Sequence, residues 1–155
     1  MKELPEICEA GRALLPGVQF TSDEEACLSE RYDLVFASNS LQYTEDWRGL
    51  LTRFARTAQR WVFLARLPLV ETAKAFVVVQ RPYWVGYHTE YVSWVFNRHE
   101  LLDHAAAEGL ILEREFLMAG GSWRIAGAPG PLVERGFLFR APDKPFRPEK
   151  PLVGG

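Results

Sequence analysis

Two short segments constrain this chain more than anything else in it. Residues 33–38 (DLVFAS) and 61–67 (WVFLARL) are almost unbroken apolar runs. A strand with one wet face alternates apolar and polar residues, whereas a strand covered on both faces does not need to. Between the two runs, Trp47, Leu50, Leu51, Phe54, Ala55 and Ala58 fall on one helical face. Thr44 followed by Glu45 and Asp46 predicts an N-cap with acids in the first turn. Strand, helix and strand in this order predict a parallel pair joined by a right-handed crossover.

The pattern extends in both directions. Residues 5–15 predict an amphipathic helix with Ile7, Ala10, Gly11, Leu14 and Leu15 on its inner face and Pro5 in its first turn. Pro16-Gly17 stops it, residues 18–21 predict a short strand, and a Glu-rich helical stretch follows. Lys2-Glu3 runs into the first helix with no leading strand. Residues 76–79 predict a strand set in an aromatic segment: Tyr83, Trp84, Tyr87, Tyr91, Trp94 and Phe96. Asn97 with Glu100 forms a capping box, Phe96 and Leu101 flank it as a staple, and Gly109 ends that helix. His99 and His104 are expected on its solvated side. Residues 110–117 and 136–140 predict two strands with no helix between them, hence an antiparallel edge pair, with 120–131 as the loop. The reading is an α/β domain over 1–141 with an insertion at 69–96, then a proline-rich tail over 142–155.

Composition narrows the class of function. Of 155 residues, 48% are hydrophobic and 25% charged, with a formal net charge of −2. That is enough chain to bury a core, and no basic run invites nucleic acid or an anionic membrane. No stretch approaches ~18 apolar residues, so no membrane insertion is expected. Cys8 and Cys27 stand far apart, without metal-ligand spacing, and are expected as reduced thiols in the cytoplasm.

Three stretches carry a family likeness. Residues 32–43 (YDLVFASNSLQY) resemble the fourth strand of class I S-adenosylmethionine-dependent methyltransferases and the loop after it. Residues 61–67 resemble the fifth strand, and 97–110 (NRHELLDHAAAEGL) the helix before the terminal hairpin. More narrowly, YHTEY followed by SWVFNRHELL is similar to methyltransferases encoded beside surface-polysaccharide genes. The likeness covers roughly residues 3–140.

The resemblance implies a partial Rossmann-like sheet, mostly parallel, with an antiparallel C-terminal hairpin edge and the first strand missing. It implies S-adenosylmethionine as cofactor and a small-molecule or saccharide-linked acceptor. Glu3 matches the acid that meets the ribose, Asp23 the acid near the adenine, and Asn39, Ser40, Gln42 and Tyr43 the loop along the methionine end. Nothing resembling the glycine-rich turn precedes Glu3, so this chain is expected to bind the cofactor weakly or not at all. Residues 1–30 are then expected to pack loosely, pair with another chain, or close onto the strand at 33–38.

His88 and Glu90 are candidates for a general base and its orienting acid, since alternate residues of a strand share a face. Arg66, Arg81, Arg98 and Tyr87 are candidates for substrate binding through a carboxylate or phosphate. The aromatic segment serves equally as a stacking platform, a lid with its own small core, or a homodimer interface. A non-catalytic module that kept the fold and lost the chemistry is the alternative to an enzyme.

Overall fold

The computed structural model describes residues 1–142. In chain order it contains α1 (Pro5–Leu14), α2 (Glu24–Ser29), β1 (Tyr32–Ser38), α3 (Trp47–Thr57), β2 (Ala58–Val70), β3 (Phe76–Gln80), β4 (Tyr91–Asn97), α4 (Arg98–Ala107), β5 (Ile111–Trp123) and β6 (Leu132–Arg140). The proline-rich tail beyond Pro142 lies outside the described residues.

A six-stranded sheet forms around β2, in the order β3-β4-β2-β6-β5, with β1 also on β2. The first part of β2 pairs in parallel with β1, from Ala58 to Ala65, and its last two residues pair in parallel with the end of β4. Its other edge pairs antiparallel with β6, which pairs antiparallel with β5. The expected closing hairpin is therefore present, and β5 runs on to Trp123, past the predicted strand end.

The apolar run at 61–67 stops short of Pro68, but β2 continues through that proline to Val70. The reason lies in the pairing. Residues 66–68 have no partner on the β1/β4 edge, because β1 ends opposite Ala65 and β4 begins opposite Leu69. A missing N–H is tolerated where a ladder is interrupted. The same place carries a bulge against β6 and a positive φ of 59° at Arg66.

One core sits between the sheet and the helices α3 and α4. Leu51, Val62, Leu64, Leu69, Phe96, Leu101 and Phe137 are all buried in it. Trp47 meets Phe96 edge-on at 5.1 Å. The α3 start is shifted from the sequence expectation: Asp46, not Thr44, is the N-cap, accepting from the Gly49 N–H at 2.9 Å. Helix α4 begins where Asn97 predicts, its side chain accepting from the Glu100 N–H, and ends before Gly109 at a φ of 80°. The box is half formed, because the Glu100 carboxylate turns to Arg48 instead. His104 is not solvated as expected. Its Nε2 lies 2.9 Å from the Arg48 carbonyl, and its ring packs edge-on against Trp47.

Residues 1–30 pack loosely, one of the three expected arrangements. Helix α1 buries only Cys8, and α2 buries no residue. The predicted inner face of α1 is wrong: Ile7, Leu14 and Leu15 are exposed. Contact is made through its small residues, since the Phe20 ring lies 2.5–2.8 Å from where a Cβ of Gly11 would stand. The leading strand thought absent exists in vestige as a parallel bridge between Lys2 and Thr21.

Candidate functional site

In an open α/β sheet, ligands collect at the carboxyl ends of parallel strands, where loops replace the ladder. Here β1 ends at Ser38, and the chain turns through Asn39 at a φ of 51°. Asparagine tolerates that left-handed conformation better than most residues. The Asn39 N–H still donates to the Ala65 carbonyl at 3.0 Å, so the turn is fastened to β2. Two non-glycine residues of positive φ, Asn39 and Arg66, thus sit just past the last rung of the β1–β2 ladder. Such outliers recur at binding sites.

A short 3-10 turn, Leu41–Tyr43, follows and places two predicted residues differently. Gln42 is 2% exposed. Its Nε2 donates to Asn39 Oδ1 at 2.6 Å and approaches the Arg66 carbonyl at 3.5 Å. Its Oε1 is buried without a partner. A buried acceptor left unpaired is costly, and is a recognised mark of a site awaiting a donor. Ser40 and Asn39 remain exposed beside it.

Tyr43 points outward and meets Tyr91 edge-on, with ring centroids 5.5 Å apart. Burial raises the Tyr43 pKa, and the neighbouring Tyr91 adds to this, against opposing hydrogen bonds from Gln80 and Gln42. Tyr43 therefore stays a neutral phenol and offers a hydrogen bond rather than a base. Tyr43, Tyr91 and Val92 line an open cleft of about 660 Å³.

The two acids assigned to ribose and adenine lie on neighbouring stretches of backbone. The Glu3 N–H donates to the Thr21 carbonyl at 3.0 Å, so Glu3 and Asp23 follow adjacent parallel segments. Asp23 also caps α2, accepting from the Ala26 N–H at 3.0 Å, and is exposed.

The other candidates are not brought together. Glu90 Oε1 accepts from Tyr83 at 2.5 Å and from Arg81 at 2.7 Å. Those bonds, from Tyr83 first and then Arg81, hold its pKa below the ordinary carboxylate value. His88 and Tyr87 are exposed on the same loop. Arg98 grips Glu115 at 2.6 Å, and Arg66 pairs with Glu134 at 3.3 Å. Each of these arginines thus already has a carboxylate. Sequence reasoning missed Val92 and Gln80, whose relevance comes from the β3–β4 register and leaves no local pattern. Among the described residues, no group of His, Cys, Asp and Glu could hold a metal.

No protein-family model matches the chain, and no curated protein matches it in sequence. Its fold, however, is that of the S-adenosylmethionine-dependent methyltransferases. A methyltransferase of this class from Methanosarcina mazei aligns at a TM-score of 0.61 and 8% identity, over 90% of this chain and 79% of that one. The N-terminal domain of EvdMO1, solved with S-adenosylhomocysteine, aligns at 0.57 and 15%, over 89% and 62%. Magnesium protoporphyrin IX methyltransferase from Synechocystis PCC 6803, also with S-adenosylhomocysteine, aligns at 0.54 and 14%, over 86% and 56%. The chain thus spans little more than half the length of that last enzyme.

Proposed function

We propose that this chain carries out, or is the larger part of a domain that carries out, methyl transfer from S-adenosylmethionine to a small molecule. One observation carries the reading: the buried, unpaired Oε1 of Gln42 lies at the carboxyl end of β1, on the fold of these enzymes. That atom fits a bound donor such as the cofactor's ammonium group. Glu3 and Asp23 fit the cofactor's hydroxyl and amine donors, being two acids at the ends of paired parallel segments. Asn39 shapes the turn between them and Tyr43.

When bound, the cofactor supplies an electrophilic methyl group that an acceptor atom displaces in line. The chain's own part is alignment. Gln42 orients the cofactor's amino end, Tyr43 donates a hydrogen bond beside it, and the cleft holds the acceptor. Glu90 is held by Arg81 and Tyr83 rather than by His88, so positioning carries the reading. The acids and the turn after β1 are this chain's contribution to the grip.

Calorimetric titration of the chain with S-adenosylhomocysteine tests this. Micromolar binding that weakens at least tenfold in Gln42→Leu and in Asp23→Ala is the expected result. Flat heats from a folded sample refute it, and leave a binding module that kept the fold without the chemistry.

A further inference from the structure

The cleft beside Tyr43 has a chemistry of its own, independent of the cofactor. Among the described residues, its lining is two phenol rings and a valine, with no charged side chain. Val92 is 60% exposed and Tyr91 37%, apolar surface that a strand normally turns inward. The cation at this end of the β3–β4 ladder, Arg81, is paired with Glu90. A carboxylate or phosphate docking here would have to draw Arg81 away from Glu90.

The flanks of the cleft are held in place. Gln80 and Tyr91 are the last paired residues of the β3–β4 ladder. One residue beyond the pair, Arg81 and Glu90 form a 2.7 Å ion pair, and the Tyr83 hydroxyl joins it on Glu90. This clamp extends the ladder by one rung. It fixes Tyr91, which meets the Tyr43 ring edge-on, and Gln80, which pairs with Tyr91 across the ladder. Two aromatic rings at a fixed edge-on angle leave a ring face free for stacking, and stacked or edge-on rings gain attraction beyond their buried area.

We propose that this cleft is the acceptor site and that it takes a planar, uncharged aromatic ring, stacked against Tyr43 and Tyr91 over Val92. The assignment of acceptor rests on the methyltransferase reading, whereas the ring-binding chemistry does not. Gln80 and the Tyr43 hydroxyl supply neutral hydrogen bonds at the ring's edge, and Arg81, Tyr83 and Glu90 are positioning residues.

The test uses 2-naphthol as probe, followed through its own fluorescence on the full chain. Naphthalene-2-carboxylate and methyl β-D-glucopyranoside serve as comparators. Saturable 2-naphthol binding is expected, at least tenfold tighter than the carboxylate and not displaced by the glucoside. Tyr43→Ala and Tyr91→Ala each weaken it roughly three- to tenfold, while Tyr91→Phe, which keeps the ring, stays within about twofold. Glu90→Gln weakens it too, by loosening Tyr91. Equal binding of the carboxylate, displacement by the glucoside, or indifference of folded alanine variants overturns the proposal. The titration with S-adenosylhomocysteine is read separately. Naphthol binding without cofactor binding sinks the methyltransferase reading alone, and the converse sinks the aromatic site alone.

Discussion

Replacing Asn97 with alanine should cost this protein more than any exposed cap would. The side chain is 8% exposed and works at both ends. Its Oδ1 caps α4 by accepting from the Glu100 N–H at 2.9 Å. Its Nδ2 donates to the carbonyls of Ala73 at 2.7 Å and Glu71 at 3.3 Å, in the link between β2 and β3. A lost cap is worth about 1 kcal/mol and each lost hydrogen bond about 1 kcal/mol net, giving a loss of about 3 kcal/mol. That is a large share of the roughly 5–15 kcal/mol of a whole domain. With a urea slope of about 2 kcal/mol per M, the unfolding midpoint falls by about 1.5 M. Urea titration followed by far-UV circular dichroism and tryptophan fluorescence measures it. Asn97→Ser keeps a capping oxygen but is too short for the two carbonyls, so it should recover about 1 kcal/mol. An alanine variant that loses less than about 1 kcal/mol, or a serine variant no better than it, would refute the reasoning.

Three further expectations follow from the same geometry. Gly109→Ala should destabilise by about 1 kcal/mol in urea titration, because Gly109 sits at a φ of 80° and a Cβ there would stand 3.3 Å from Pro142. Glu115 has its pKa lowered, first by its hydrogen bond from Arg98, so its contribution is present above the unfolded value and lost as pH falls through the folded one. Unfolding midpoints should therefore drop below roughly pH 4.3, and Glu115→Gln should flatten that acid limb. Gln42→Leu should alter stability by less than about 1 kcal/mol, since the lost bond to Asn39 is offset by removing the unpaired Oε1, yet abolish cofactor heats.

What the sequence disclosed was what is local. Leu34 to Ala37 and the 61–67 run announced β1 and β2 through their unbroken apolar character, and Asn97 and Gly109 marked α4 through capping chemistry. Long-range pairing was illegible. Nothing in 91–97 says that Phe96 and Asn97 align beside Leu69 and Val70, which is what makes Pro68 tolerable inside β2. The cap of α3 fell at Asp46 rather than the expected Thr44, because the Asp46 carboxylate accepts from the Gly49 N–H. At the site, Asn39, Gln42 and Tyr43 were readable from their place after an apolar strand, although β1 is not covered on both faces as its unbroken run implied: Val35 and Ala37 are buried, while Leu34 and Phe36 are exposed. The loss of Glu90 to Arg81 and Tyr83 was not, because an ion pair across a ladder end leaves no mark on either segment.

The central position of β2 sets how the molecule opens. Its thirteen residues pair with β1 and β4 on one edge and with β6 on the other. No neighbour can detach without exposing part of it, so its amides have few local routes to solvent. Hydrogen exchange along Val62–Leu64 is then governed by global unfolding, while α1, which buries only Cys8, exchanges through small openings. The protein therefore pairs one slow cooperative block with a looser N-terminal margin.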